Sequence, residues 1–88
     1  MEFLLSNHCK EQMILRDIPE SIIYKVLNSS EDIIRQDECT LIFQYILPDE
    51  THKNYLYRIF VNICKQPNIV ITVYRTSKID KYNENKIR

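Results

Sequence analysis

With 88 residues, of which 44% are hydrophobic and 27% charged, the chain is long enough for a single domain with one modest core. It contains no glycine, which excludes Gly-rich phosphate loops, dinucleotide-binding fingerprints and nucleophile elbows, and leaves positive-φ positions to Asn, Asp or a strained residue. The formal net charge is zero, but residues 1–50 hold ten acids against four bases and residues 51–88 hold eight bases against two acids. This asymmetry indicates either an anionic partner for the C-terminal half or two halves that neutralise each other in the fold.

The cysteine content and the hydropathy of the chain bear on its location. No apolar run is long enough to span a membrane, and the polar start MEFLLSNHCKEQ does not resemble a signal peptide. The cysteines Cys9, Cys39 and Cys64 are odd in number and far apart. This spacing argues against a disulfide framework, so we predict a protein of the reducing cytoplasm.

Two helices are predicted first. Ser6 or Asn7 can cap a helix that runs to about Arg16, because both side chains accept hydrogen bonds from the amides of a first turn. A second helix lies within DIPESIIYKVLNSS, where Pro19 suits the first turn. Its buried stripe is formed by Ile22, Ile23, Val26 and Leu27.

The period then changes to that of strands. EDIIRQ is a short candidate, and the stronger candidates TLIFQYIL, YLYRIFVNIC and IVITVYRT are joined by the turn-forming PDETHKN and KQPN. Consecutive strands with short connections predict an antiparallel meander. We therefore expect an α+β fold, in which two N-terminal helices pack on an antiparallel sheet of three to four strands and SKIDKYNENKIR forms a short C-terminal helix or tail.

One face of the first helix carries candidate functional residues. His8, Gln12 and Arg16 are each four residues apart and should lie along one groove. An imidazole there is well suited to proton transfer near neutral pH. The commoner explanation of such a spacing is a solvated helix face.

Polar residues also interrupt the predicted strands. Arg58, within the apolar YLYRIFVNIC, either stacks on a neighbouring tyrosine or reaches a phosphate. In the last strand, Tyr74 and Thr76 share a face, and the core face is predicted to hold Ile69, Ile71 and Val73. Arg75 would point away from Tyr74 in a regular strand, but we expect the strand to become irregular before it.

No His or Cys pair has the spacing of zinc ligands, and no metal or cofactor is predicted. What remains is a set of bases and aromatic residues: His8, Arg16, Arg58, Tyr74, Arg75, Lys78 and Tyr82. Such a set suits metal-independent RNA cleavage, in which the substrate's 2′-OH attacks the adjacent phosphorus. The protein then moves protons, stabilises negative charge and stacks on bases.

Two stretches, SNHCKEQMILRDIP and VITVYRTSKIDKY, resemble the opening and closing segments of a family of small prokaryotic proteins of uncharacterised domain type. That family is similar to the RelE- and BrnT-type toxins of toxin–antitoxin pairs. The resemblance implies one RelE-like domain over residues 1–88, a ribonuclease activity and a small antitoxin partner. The matching residues are His8, Arg16, Tyr74, Thr76, Lys78 and Tyr82.

Two positions depart from the family pattern. Gln12 stands where the family tends to have Arg, which removes a charge from the proposed groove. Asp17 stands where the family tends to have Gly, and Asp tolerates the geometry of a turn.

These observations predict a metal-independent endoribonuclease toxin that needs no cofactor, acts on RNA and is covered by a cognate antitoxin. The catalytic residues would be His8, Arg16 and Lys78, and the contacts to RNA or phosphate would come from Arg58, Tyr74, Arg75, Thr76 and Tyr82. The alternative is a non-catalytic RNA- or protein-binding module that uses the same basic face. A third interpretation is a structural domain that forms homo-oligomers along an exposed strand edge.

Overall fold

A computed structural model describes residues 2–80 of the chain. In chain order its elements are β1 (Phe3–Leu5), α1 (Asn7–Leu15), α2 (Glu20–Ser29), β2 (Asp32–Arg35), β3 (Thr40–Pro48), β4 (Asn54–Asn62) and β5 (Asn68–Thr76). The five strands form one sheet in the order β1-β5-β4-β3-β2. The candidate tail SKIDKYNENKIR lies largely outside the described residues.

The sheet is mixed, because β1 pairs with β5 in parallel whereas all other neighbours are antiparallel. The predicted fold class, two N-terminal helices on an antiparallel sheet of three to four strands, is therefore wrong. The chain begins with a strand, and three apolar residues are too few to show a strand period. The antiparallel order of the three longer strands agrees with the predicted meander.

The hydrophobic core lies between the helices and one face of the sheet, called the core face below. The α2 residues Ile23, Val26 and Leu27 are buried there as predicted. The strand residues of this face include Phe43, Ile59, Val61 and Val73. Because side chains alternate along a strand, the residues between them point to the other side of the sheet, called the second face.

A bulge changes the phase of β5. Val61 lies opposite Val70, but Phe60 lies opposite Thr72, so β5 holds one extra residue at this point. Val70 and Val73 are consequently both buried in the core, whereas Ile69 and Ile71 are only half-buried. The prediction that Ile69 and Ile71 are core residues assumed an uninterrupted alternation and is wrong.

A disulfide bond joins Cys39, just before β3, to Cys64, just after β4. The cysteines are 25 positions apart in sequence, but the pairing of β3 with β4 makes them neighbours, since Ile63 N–H donates to the Cys39 carbonyl at 2.8 Å. The expectation of unpaired cysteines is therefore wrong and no longer supports a cytoplasmic location. Within residues 2–80, no helix is long and apolar enough to cross a membrane.

Candidate functional site

Four polar side chains form a row across the second face of the sheet. Asp32 of β2 lies opposite Gln44 of β3, Gln44 lies opposite Arg58 of β4, and Arg58 lies opposite Tyr74 of β5. Directly opposite residues in antiparallel strands share a face, so each of these strands contributes one side chain at the same level. We call these four residues the polar row.

Hydrogen bonds run along the polar row without a break. The Gln44 amide donates from Nε2 to Oδ2 of Asp32 at 2.7 Å, and its Oε1 accepts from Nε of Arg58 at 2.6 Å. Nη1 of Arg58 donates to the hydroxyl of Tyr74 through a short hydrogen bond. Gln44 is only 2% exposed, so both ends of its amide need partners, and both have them. The guanidinium of Arg58 is thereby fixed in position.

A second guanidinium reaches the same tyrosine from Arg16, the residue that directly follows α1. The Cζ atom of Arg16 is 6.0 Å from the ring centroid of Tyr74, and that of Arg58 is 5.7 Å from it. Nε of Arg16 donates to Oε1 of Gln12 at 3.0 Å, so the neighbouring helical turn holds this side chain. Two cations near one phenol ring form a locally positive site with cation–π support.

The structure shows no contact between this cluster and the other predicted residues that it describes. His8 is exposed on α1, eight residues before Arg16 on the same helical face, which is roughly 12 Å along the axis. Thr76 follows Tyr74 on the second face, and its Oγ1 accepts from the backbone N–H of the exposed Lys78 at 3.0 Å. Tyr82 lies outside the described residues.

Arg75 does not belong to the cluster. It lies opposite Tyr57 in a strand that stays regular to Thr76, so it points to the core face, and the expected irregularity before it is wrong. Its Nη1 donates to the Tyr57 hydroxyl at 3.3 Å, and its Cζ is 4.6 Å from the ring centroid of Tyr55. The hydrogen bond to Tyr57 is the main cause that raises the pKa of Arg75, and the charge of Asp49 adds to it.

Sequence reasoning missed Asp32 and Gln44. Gln44 interrupts the apolar run TLIFQYIL as Arg58 interrupts YLYRIFVNIC. Pro48 pairs with Asn54 next to the hairpin turn. Four residues away from the turn on each strand, Gln44 therefore lies opposite Arg58. The two interruptions were thus a readable signal of a cross-strand pair.

The site offers cations, amides and a phenol. Among residues 2–80, no three His, Cys, Asp or Glu side chains are grouped so that they could hold a metal ion. Each of the two guanidiniums, Arg16 and Arg58, can bind an anion, and the Tyr74 hydroxyl can donate or accept a proton.

Comparison with known proteins gives one family. The family model described as a domain of unknown function (DUF4258) matches residues 5–75, which include α1 and all but the last residue of β5. No curated protein and no solved structure matches the chain. The resemblance to RelE- and BrnT-type toxins therefore stays a prediction.

Proposed function

The chain belongs to the DUF4258 family, and we propose that it is a metal-independent endoribonuclease, the toxin of a type II toxin–antitoxin pair, which cleaves RNA by 2′-OH transesterification. The observation that supports this most is the convergence of Arg16 and Arg58 on Tyr74. One of these cations comes from a helix and the other from a sheet, and a hydrogen-bond partner holds each of them.

The two arginines would bind the scissile phosphate. Guanidinium groups hold phosphate oxygens through parallel N–H donors, and their charge stabilises the additional negative charge of a phosphorane. Oε1 of Gln12 accepts from Nε of Arg16, which leaves the two terminal nitrogens of the Arg16 guanidinium to face a phosphate. The Gln12 departure from the family pattern thus removes a charge but supplies a group that orients Arg16.

Proton transfer would be divided between Tyr74 and His8. The Tyr74 hydroxyl accepts from Arg58 and would give its own proton to the departing 5′ oxygen, and the adjacent guanidinium would stabilise the phenolate that results. His8 would take the proton of the attacking 2′-OH. For this, the imidazole of His8 and the guanidinium of Arg16 would both have to reach along α1 to one nucleotide, and Thr76 and Lys78 would contact a neighbouring phosphate at the end of β5.

Cleavage of a short RNA in the presence of EDTA tests this mechanism. We expect a product with a 2′,3′-cyclic phosphate, no cleavage of a substrate with a 2′-deoxy nucleotide at the scissile position, and at least about 100-fold slower cleavage by Tyr74→Phe and His8→Ala. The matched control is Arg75→Lys, which changes a cation on the opposite face and should cleave as the wild type does. Undiminished cleavage by both Tyr74→Phe and His8→Ala would disprove the assignment.

The same assay separates the alternative function, a non-catalytic RNA- or protein-binding module. The observation that favours it is that Arg58 is joined to Asp32 through Gln44, an arrangement that also serves a purely structural or binding surface. A binding module would retain RNA, lose affinity in Arg58→Met, and release no product.

The proposal includes a partner and a location. A cognate antitoxin would cover Arg16 and Lys78 with acidic or extended segments and compete with RNA for them. An mRNA substrate would place the protein in the cytoplasm, where thiols are kept reduced. The disulfide between Cys39 and Cys64 would then be a dithiol during function.

A further inference from the structure

The strand β2 lies at an edge of the sheet. Within the described residues no strand pairs with its outer side, and β3 occupies the inner side. Its two central side chains are apolar and exposed, Ile33 by 46% and Ile34 by 36%. An edge strand with an apolar centre is a template for pairing with another strand.

The backbone direction of β2 follows from the turn that joins it to β3. Gln36 N–H donates to the Thr40 carbonyl at 2.9 Å, so Gln36 points its backbone groups toward β3. Backbone groups alternate in direction along an antiparallel strand. Those of Ile34 consequently point inward, whereas those of Ile33 and Arg35 point outward. The same alternation, continued to the residue just before β2, turns those of Glu31 outward.

We propose that β2 pairs antiparallel with β2 of a second copy of this chain, with Ile33 opposite the partner's Ile33, to give a continuous ten-stranded sheet. This register places all three outward-pointing residues in hydrogen-bonded pairs. Glu31 comes opposite the partner's Arg35, and Arg35 comes opposite the partner's Glu31. The segment is therefore complementary to itself in charge, in apolar contact and in backbone hydrogen bonding.

Charge favours this register over the two registers that are shifted by two residues. Sliding the pair by two residues in one direction places Glu31 opposite the partner's Asp37, and in the other direction it places Asp32 opposite the partner's Asp32. Like charges directly opposite each other destabilise a strand pair. Arg35 Nη1 donates to the carbonyls of Asp37 and Glu38 at 3.3 and 3.1 Å, which holds its guanidinium beside the strand.

The symmetry of the pair has a consequence for the polar row. A two-fold axis that relates two antiparallel edge strands is perpendicular to the sheet, so the second faces of both copies lie on the same side. Both polar rows would lie on that side, and both helical layers would lie on the other side. Pairing of the two β2 strands does not depend on nuclease activity.

Sedimentation velocity over a range of concentrations tests the proposal. The wild type should form dimers. Glu31→Arg or Arg35→Glu alone should weaken self-association at least about tenfold, because positions 31 and 35 then carry the same charge and meet at two places in the symmetric dimer. An equal mixture of the two variants should dimerise again, because every introduced charge then meets an opposite one. A mixture that associates no better than its components, or a wild type that stays monomeric up to millimolar concentration, would overturn the proposal.

Two further measurements distinguish a loss of dimerisation from a loss of folding. Ile33→Pro removes only an outward N–H, so the fold should survive and the dimer should not. In the wild type, amide exchange at Ile33 and Arg35 should slow as the concentration rises, whereas Ile34, bonded to β3, should be protected at every concentration. Exchange at Ile33 that is independent of concentration would contradict the pairing.

Discussion

Gln44 explains how a guanidinium is held within a sheet whose neighbouring residues are apolar. The buried amide donates to Asp32 and accepts from Arg58, so it satisfies one acidic and one basic side chain while it carries no charge itself. A direct Asp–Arg pair across two strands would need either side chain to span the width of β3. The amide therefore positions the cation that, in our proposal, binds phosphate.

Replacing Gln44 with Leu should lower the free energy of unfolding by about 1–3 kcal/mol, because Arg58 and Asp32 each lose a hydrogen-bond partner in a partly buried environment. Urea denaturation measures this change. The matched control is the double variant Gln44→Leu with Arg58→Met, which replaces both members of one bond by apolar groups and should recover part of the loss. Equal stability of Gln44→Leu and the wild type would mean that the row contributes nothing to folding.

Single residues show how far sequence reasoning reaches. The lack of glycine leaves the left-handed positions to Asn, Asp or a strained residue. Asp17 takes one of them with φ 52°, and His52, which no sequence pattern singled out, takes another with φ 66°. The face of Arg75 was misjudged because regularity at a strand end depends on its neighbour, and β4 pairs with β5 as far as Thr76. Local chemistry was readable, but pairing partners were readable only where a hairpin fixes them.

At the scale of elements, Ser6 connects α1 to the bulge in β5. Its N–H donates to the Val70 carbonyl at 3.0 Å, its hydroxyl donates to the Ile71 carbonyl at 2.9 Å, and the same oxygen caps the helix by accepting from Cys9 N–H at 3.0 Å. The cap was predictable from the residue type. The bulge and β1 were not, because a parallel pair between opposite ends of the chain leaves no local pattern.

Ser6→Ala should destabilise the protein by about 1–2 kcal/mol, since it removes a helix cap and leaves a bulge carbonyl without its donor. Hydrogen exchange should show faster opening of α1 while the amides shared by β3 and β4 keep their protection. Ser30→Ala is the control, because the Ser30 hydroxyl donates to the Val26 carbonyl within the last turn of α2 and makes no hydrogen bond to the sheet among residues 2–80. If α1 opens equally fast in both variants, Ser6 does not fasten the helix to the sheet.

At the scale of the whole molecule, the acidic and basic halves of the chain meet in places. Asp32 from the acidic half is linked to Arg58 from the basic half, and Asp49 lies near enough to contribute to the raised pKa of Arg75. Part of the opposite charge of the two halves is thus neutralised within the fold. The positive charge of Arg16 comes from the acidic half itself, so the candidate site draws on both halves rather than on the basic one alone.

The Cys39–Cys64 bond should stabilise the whole fold, because it closes a loop across the β3–β4 hairpin at the end away from its turn. For a separation of 25 residues, the loop-entropy model gives about 3.5 kcal/mol, a large part of the stability of a small domain. The free energy of unfolding, measured by thermal and urea denaturation, should therefore be about 2–4 kcal/mol lower with a reductant than without it. The double variant Cys39→Ser with Cys64→Ser should match the reduced wild type and not respond to the reductant, because the remaining Cys9 is unpaired. Identical stability with and without reductant would show that strand pairing alone holds the two ends together, and that the fold is equally suited to a reducing compartment.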